Sequence, residues 1–444
     1  MAIVKKANNI NVQVTNNYTS LSKVSHEESG EVIIKATQQN LELSSQKKAI
    51  LQGHGRKSAG ENKVALRVLK VEGPFDDKEM KISLMEKDKW YTFKATQFNR
   101  KAEEKELKEL KWARQYDDSK IVETTDSGAK GSKNISFMVK SATQASKIRI
   151  YAYFEKANKD VSAEAKIAQQ EVILIVGTEQ HSANYGNKMM FPAQAVREIR
   201  QNYSAYKNLT ILMFTDGYNS EELSNPENSA KAFNANVNFK KINTVTDLIN
   251  YLNKGDSKVI RGDVKISTIK VFAHGLPSIF DFGLDGKNQL NQRFEIKHIS
   301  EIKKESFVSS PIIHSFACRT GNLDNRPEAS KKGYTYDSNW IELVKPQESL
   351  AQKLADYFNA TVYAYIKRSE YQSTWDDKDN KAYKNKYIQI EDENLNGEAH
   401  RLHQWDEALW NPQGAYAPPT AGTTPKGLPS QVYKFEKNKK AIPR

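Results

Sequence analysis

The sequence predicts a multidomain protein: a short β-repeat leader, an all-β sandwich, and an α/β domain built on a doubly wound, mainly parallel sheet. The chain has 444 residues, which is longer than a domain with a single hydrophobic core usually is. Residues 62–168 alternate apolar and polar positions with a period of two, which is typical of half-buried strands. From residue 171 onward, continuous apolar runs alternate with helical stretches, as in parallel sheets covered on both faces. We therefore place the domains at residues 1–58, 62–168 and 171–444.

The leader, residues 1–58, is polar and rich in Asn, Gln, Ser and Lys. Within it, residues 32–36, 40–43 and 48–51 form short alternating stretches at a spacing of about eight, each followed by a polar turn. This pattern is typical of stacked β-repeats, which bury their apolar face only against neighbouring repeats. A disordered or hairpin leader is the alternative interpretation.

The second region predicts an antiparallel sandwich with one solvated face per sheet, because Gly, Asp, Asn and Ser separate its alternating stretches. A charged stretch at residues 100–111 is expected to be a loop or a short helix inserted between strands. No cluster of titratable residues marks a site here, so we interpret the region as a spacer or adaptor. The predicted strands are residues 64–71, 80–84, 90–93, 135–139 and 148–154.

In the third region predicted strands alternate with predicted helices, which implies a mainly parallel, doubly wound sheet. Reactive side chains in such sheets belong at the carboxyl ends of the strands. The predicted strands are residues 172–177, 210–215, 268–273, 311–317 and 361–366, and the predicted helices are residues 191–206, 245–252 and 348–358.

Bulk composition excludes several classes of function. The net charge of +13 comes with lysines interspersed among acids and without an RNA-binding motif, so nucleic acid is not an expected partner. The mean hydropathy of −0.72 and the lack of an apolar run of roughly 20 residues argue against a membrane span. We expect no signal peptide and synthesis in a reducing cytoplasm, and no cofactor motif is present.

Cys318 is the only cysteine of the chain, and it follows the apolar stretch 311–317 directly. His274 and Gly275 follow the stretch 268–273 in the same way. An imidazole beside a thiol keeps the thiol ionised, and the resulting thiolate is the nucleophile. The Gly275 and Cys318 amides would then form an oxyanion hole.

Gly321 would let the chain turn away beneath this nucleophile. The alternative interpretation is an inert buried thiol beside an ordinary His-Gly turn.

These two strand ends resemble the clan CD cysteine peptidases, the group of caspases, gingipains and clostripain-like enzymes, over about residues 171–370. Residues 317–321, Ala-Cys-Arg-Thr-Gly, are close to the caspase pattern Q-A-C-[RQG]-G, and caspases place their histidine about 50 residues upstream. The resemblance implies a caspase-like fold and a His274–Cys318 dyad that cleaves a peptide bond through an acyl-enzyme. The leader more weakly resembles the β-repeats of type VI secretion spike proteins.

The chain departs from this family at Phe316, two residues before the cysteine, where the group often shapes its primary specificity pocket. Phe316 supports neither an Arg/Lys pocket nor a caspase-like Asp pocket. Lys367, Arg368, Tyr371 and Trp375 follow the last predicted strand and are candidates for the pocket lining, with a solvated loop as the alternative.

Other candidate residues carry weaker patterns. His400, His403 and Asp406 have a helical spacing, but no further ligand converges on them, and we expect no metal. His314 lies inside a predicted strand and is expected to be packed. Asp216 ends a strand and is expected to cap a turn or line the cleft.

Together these patterns predict a cysteine endopeptidase that acts through His274 and Cys318, in a secreted bacterial effector or toxin. The expected partners are a protein substrate, a secretion-spike protein at the leader and an immunity protein. Export by a contractile secretion apparatus would account for the missing signal peptide. The alternative is a non-catalytic structural or binding protein of the spike with a caspase-like fold. Another acyl-transfer reaction at the same dyad also stays open, because it would use the same thiolate and oxyanion hole.

Overall fold

The computed structural model describes residues 64–124, 129–180, 185–331, 333–371, 374–375 and 410–444. The chain divides into two compact units, Met1–Val64 and Ala65–Arg444. The β-repeats predicted in residues 32–51 and the metal candidate in residues 400–406 lie outside the described residues.

The first part of the larger unit consists of two small sheets. The elements of this part are β1 (Val68–Phe75), β2 (Leu84–Met85), β3 (Trp90–Phe98), α1 (Glu104–Leu107), β4 (Lys111–Tyr116), β5 (Val122–Glu123), β6 (Asn134–Met138), β7 (Lys147–Tyr153) and β8 (Ser162–Ile167). One sheet has three strands in the order β1-β3-β6, and the other has five in the order β2-β8-β7-β4-β5.

The two sheets share one hydrophobic core, which draws on β1, β3, β4, β6, β7 and β8. Phe93 and Trp112 are fully buried at its centre, and the indole Nε1 of Trp112 donates to the Ser132 carbonyl at 2.8 Å. Alternation along the strands sends every second side chain into this core, as the period of two predicts. We call this region the β-sandwich.

The rest of the unit is an α/β region built on an eight-stranded sheet. The strands of this region, eight of which form the large sheet, are β9 (Gln169–Val176), β10 (Leu209–Phe214), β11 (Asn238–Ile242), β12 (Val264–Phe272), β13 (His274–Leu276), β14 (Ile279–Asp281), β15 (Arg293–Glu295), β16 (Phe307–Ser315), β17 (Thr361–Tyr365), β18 (Ser369–Glu370), β19 (Thr420–Ala421), β20 (Val432–Phe435) and β21 (Ile442–Pro443).

The α-helices that accompany them are α2 (Tyr185–Lys188), α3 (Met190–Glu198), α4 (Ser220–Phe233), α5 (Val245–Lys254), α6 (Trp340–Val344) and α7 (Leu350–Phe358). A π-helical turn, Ile199–Tyr203, extends α3. Short 3-10 turns lie at Gln289–Gln292, Ile296–Glu301, Lys304–Ser306, Pro327–Ser330 and Pro346–Glu348. No helix among the described residues has the length and apolar character needed to cross a bilayer.

The strand order of the large sheet is β11-β10-β9-β12-β16-β17-β20-β21. The first six of these strands are parallel to one another, and β20 and β21 are antiparallel additions at one edge. The sheet is therefore mixed, and its parallel part is wound in both directions from the centre. The order reverses between β9 and β12, which makes their carboxyl ends the topological switch point of the sheet.

Strand β9 shows why the apolar run at its centre has no polar positions. Val172, Leu174 and Val176 face one hydrophobic cluster, which includes α3. Ile173 and Ile175 face the other cluster, which includes α5 and α7. Because both faces of the strand are covered, every position is apolar, as expected for the centre of a parallel sheet.

Candidate active site

The thiol of Cys318 lies just beyond the carboxyl end of β16. The amide of Phe316 still donates to the Val271 carbonyl at 2.9 Å, so the ladder between β12 and β16 continues to that point. The chain then bends sharply at Arg319, whose φ is 54°. The amide of Arg319 donates to the Lys367 carbonyl at 3.0 Å and ties the bend to the chain after β17.

In the turn after the thiol, the residue with positive φ is Arg319. Gly321 was expected to let the chain turn away beneath the thiol, and it is not the residue in the left-handed region. Gly321 instead allows a close approach, because a side chain there would place Cβ 2.8 Å from the Phe435 ring. The loop after Cys318 therefore rests directly on β20.

His274 begins β13, just past the carboxyl end of β12, and pairs with Asp281 of β14. Its Nε2 lies 2.7 Å from Oε2 of Glu179, a carboxylate that is only 2% exposed. The edge of the Phe191 ring packs on the imidazole, with centroids 5.0 Å apart. The ring of His274 is thus held by a hydrogen bond to Glu179 and by packing against Phe191.

Glu179 was missed in the sequence analysis. It follows β9 by three residues, so it lies at the switch point, on the strand next to the one that carries His274. The criterion that found His274 and Cys318, a polar residue just past a buried strand, would also have selected Glu179. A buried carboxylate on a histidine nitrogen fixes the ring orientation and the tautomer and favours the imidazolium form.

Gly275 lies against the backbone of Cys318. A Cβ built on Gly275 would be 2.6 Å from the Cys318 amide nitrogen. Only glycine fits this approach, because any side chain would overlap the Cys318 peptide. The two strand ends that carry the predicted dyad are therefore in direct backbone contact.

The sulfur of Cys318 contacts the amide, the hydroxyl and the carbonyl of Ser369 in β18. The Ser369 amide donates to Sγ at 3.3 Å, the Ser369 hydroxyl lies 3.4 Å away, and the thiol donates to the Ser369 carbonyl at 3.6 Å. The Ser369 hydroxyl itself donates to the Phe316 carbonyl at 2.6 Å. The amide donor suits a thiolate, and the carbonyl acceptor suits the protonated thiol.

The Cys318 sulfur affects the pKa values of two neighbouring side chains, Arg319 and Tyr365. Burial lowers the pKa of Arg319, with Arg368 lowering it further and the Cys318 sulfur opposing both. Burial raises the pKa of Tyr365 to about 12, and the Cys318 charge adds to this effect. Because Arg319 stays protonated at any ordinary pH, it places a positive charge beside Cys318.

The three aromatic residues expected to line a specificity pocket are packed against neighbouring side chains. Phe316 stacks on Phe272 with centroids 4.9 Å apart. Tyr371 and Trp375 belong to the hydrophobic cluster on the α3 face, and Tyr371 donates to the Phe316 carbonyl at 3.2 Å. A pocket lined by these residues stays a prediction.

Two basic residues of the expected pocket are anchored by their neighbours. Nζ of Lys367 donates to the Ser430 hydroxyl at 2.7 Å, and burial lowers the pKa of Lys367. The Arg368 amide donates to the Thr424 carbonyl at 3.0 Å, and its side chain is half-buried.

His314 is packed as expected, and Asp216 joins the turn after β10 to a distant segment. The His314 ring stacks on Tyr363 at 4.7 Å, and burial, aided by Lys270 and Arg444, lowers its pKa to about 4. Asp216 accepts from Asn288 and Gln292 at 2.8 and 2.9 Å, so it holds the turn after β10. In the described part of the chain, no three His, Cys, Asp or Glu side chains form a group that could hold a metal ion.

Comparison with known proteins gave no family. No protein-family model matches the chain, and no curated protein matches it either. Among solved structures, a sialyltransferase from Photobacterium damsela is similar over 61% of this chain and 49% of its own, at 9% identity and a TM-score of 0.21.

A 2,6-sialyltransferase from another Photobacterium species of the Vibrionaceae is similar over 52% of this chain and 40% of its own, at 8% identity and a TM-score of 0.20. The chain thus spans half or less of each of these two proteins, and similarity at this level supports no inference about fold or function.

Proposed function

We propose that the chain is a cysteine peptidase with a caspase-like α/β domain, in which Cys318 is the nucleophile and His274 the general base and acid. The contact between Gly275 and the Cys318 backbone is the observation that carries this proposal. A protein that only binds has no need to bring a His-Gly strand end against a cysteine amide. The buried carboxylate of Glu179 on His274 adds the group that orients a catalytic base.

The reaction follows from these positions. The Cys318 thiolate attacks the scissile carbonyl carbon, and the carbonyl oxygen becomes an oxyanion that the Gly275 and Cys318 amides can stabilise. His274 then gives a proton to the leaving amine as the C–N bond breaks and a thioester forms. Water, deprotonated by His274, hydrolyses the thioester and restores the thiol.

The rest of the biological proposal rests on the sequence. A leader that docks on a secretion spike, the β-sandwich as adaptor and the peptidase domain would form a bacterial effector delivered by a contractile apparatus. Such an effector needs a protein substrate in the target cell and an immunity protein in its producer. The β-sandwich supports the adaptor role, because among its described residues only Gln115 and Thr124 are buried polar side chains.

The first test expresses the full chain and Cys318→Ala in the bacterial cytoplasm and in the periplasm. Growth and new protein N-termini, read by mass spectrometry, are the measurements. We expect toxicity or new N-termini with the wild type and neither with Cys318→Ala. Identical behaviour of the two proteins in both compartments would favour the alternative, a non-catalytic spike-associated protein.

A second measurement tests the chemistry without knowledge of the substrate. p-Nitrophenyl acetate acylates a reactive cysteine: the Sγ–C bond forms, the C–O bond breaks and p-nitrophenolate leaves with the electron pair. We expect a burst of p-nitrophenolate close to one equivalent from the wild type, and none from Cys318→Ala. Cleavage of peptide bonds, rather than transfer of another acyl group, is then decided by the new N-termini.

A further inference from the structure

The loops that carry His274 and Cys318 are joined by a side chain that belongs to neither residue. Strands β13 and β14 form a hairpin whose turn contains Ser278, two residues after Leu276. The Ser278 hydroxyl donates to the Asn322 carbonyl at 3.0 Å, and Asn322 follows Cys318 by four residues. The hairpin that carries Gly275 is thereby fastened to the loop that carries the thiol.

The first two residues of helix α7 bond to the same two loops. The first amides of a helix have no partner inside it and must bond elsewhere. The amide of Leu350, the first residue of α7, donates to the Ser278 hydroxyl at 3.2 Å. The next amide, of Ala351, donates to the Thr320 carbonyl at 3.2 Å. One helix end therefore holds the histidine hairpin with one amide and the cysteine loop with the next.

The backbone conformation and the burial of Ser278 also point to a constraint at this position. Its φ is 60°, in the left-handed region where glycine or asparagine is favoured. It is also 6% exposed, so its side chain must find partners inside the protein. A residue held in an unfavourable conformation by surrounding bonds points to a functional constraint at that position.

We propose that Ser278 is a positioning residue, which holds Gly275 against Cys318 so that the oxyanion hole exists before substrate binds. This inference rests on the proposed function, because it assumes that the Gly275 amide stabilises an oxyanion. Ser278 touches neither the thiol nor the imidazole in any described contact, so its effect is transmitted through the hairpin. Displacement of a catalytic donor by about 1 Å costs roughly a hundredfold in rate.

The test compares two reactions of the same sulfur in the full-length protein. Iodoacetamide alkylates a thiolate by direct displacement, and no oxyanion forms. p-Nitrophenyl acetate forms a tetrahedral oxyanion on the way to the acyl-enzyme. The ratio of the Cys318-dependent acylation rate to the alkylation rate therefore reports on the oxyanion hole, and a loss of thiolate or of folded protein lowers both rates together.

Ser278→Gly is the main variant, because glycine accepts the left-handed backbone and lacks the hydroxymethyl group that bonds Asn322 and Leu350. Ser278→Ala is measured in parallel, so that the result does not depend on the folding of one variant. Glu79→Gly is the matched control, since Glu79 also has a φ of 60° but lies in a turn of the β-sandwich. We expect the ratio to fall by about tenfold to a hundredfold in both Ser278 variants and to stay within twofold in Glu79→Gly.

An unchanged ratio of acylation rate to alkylation rate in Ser278→Gly would overturn the inference, whether both rates stay the same or both fall equally. A wild-type protein that is alkylated at Cys318 but is acylated no faster than Cys318→Ala would overturn the proposed function itself. The two failures are thus distinguishable in a single experiment.

Discussion

The β-sandwich and the carboxyl edge of the eight-stranded sheet bury very different side chains. Gln115 and Thr124 are the only buried polar residues in the described part of residues 65–168. Around His274 and Cys318, by contrast, the chain buries carboxylates, a guanidinium, an ammonium, amides and hydroxyls. These belong to Thr178, Glu179, Asp281, Arg319, Thr320, Asn322, Asp324, Lys367 and Ser369, among others.

This difference fits the proposed division between a structural region and a catalytic one. A buried polar group destabilises a protein unless a partner satisfies it, so a region with only a structural role does best with apolar side chains. The carboxyl edge keeps many such groups and satisfies them through bonds such as Glu179 to His274 and Ser278 to Asn322. If the comparison is right, mutations in the two regions should affect different measurements.

The largest effect is expected from Trp112→Ala in the β-sandwich. Trp112 is fully buried, and its truncation should lower the free energy of unfolding by about 3–5 kcal/mol. A urea titration followed by circular dichroism measures this change. Under native conditions the alkylation rate of Cys318 should stay within twofold of the wild type. A large fall in that rate would show that the two regions are not independent.

His274→Gln should give the converse result. The substitution removes the proposed general base, so the Cys318-dependent acylation by p-nitrophenyl acetate should slow by roughly a hundredfold. The midpoint of unfolding should change little. His314→Gln is the matched control, because His314 lies four residues before Cys318 but packs on Tyr363. Equal rates in the two glutamine variants would remove His274 from the mechanism.

His314 should instead show its effect on stability, and only in acid. Its pKa falls from 6.5 in the unfolded chain to about 4 in the fold, because burial and the charges of Lys270 and Arg444 oppose protonation while Glu198 favours it. The unfolded state therefore binds more protons between these values, and stability is lost as the pH falls below 6.5.

Between pH 7 and pH 5 the His314 contribution should amount to about 1–2 kcal/mol. Urea midpoints at the two pH values, for the wild type and His314→Gln, measure it. We expect the wild type to lose more stability on acidification than the variant does. The same loss in both proteins would contradict the assignment.

The smallest expected effect is that of Glu179→Gln. The substitution keeps the shape of the side chain but removes the charge that favours the imidazolium, so acylation by p-nitrophenyl acetate should slow about tenfold. Glu222→Gln is the comparison, since Glu222 is also buried but caps α4 and pairs with Lys188. An unchanged acylation rate in Glu179→Gln would show that the carboxylate is not needed to orient His274.

Much of the architecture could be predicted from local pattern. The apolar run at residues 172–177 and the alternation at residues 148–154 correspond to β9 and β7. Strand β11 was not predicted, because its residues Asn-Phe-Lys-Lys-Ile form a polar edge strand with little apolar signal. Helix α4 was not predicted either, since few of its side chains are buried and its start depends on a capping box between Asn219 and Glu222.

The site could be predicted only in part, because its geometry depends on contacts between distant segments. The strand ends of His274 and Cys318 were visible as sequence pattern. The bend at Arg319 was not, because positive φ in a non-glycine residue is imposed by the surrounding chain. Ser369 was also invisible in advance, since its contact with Cys318 joins residues 51 positions apart.

The close approach of Phe435 to Gly321 has a consequence for how the protein is made. The loop after Cys318 gains its floor only when β20 joins β17, which requires residue 435 to have left the ribosome. At 5–20 residues per second, synthesis from Cys318 to Phe435 takes roughly 6–23 s. Strand pairings between such distant residues also form slowly once the chain is complete. The thiol is therefore present well before its complete surroundings, so a nascent chain carries Cys318 without the finished candidate site.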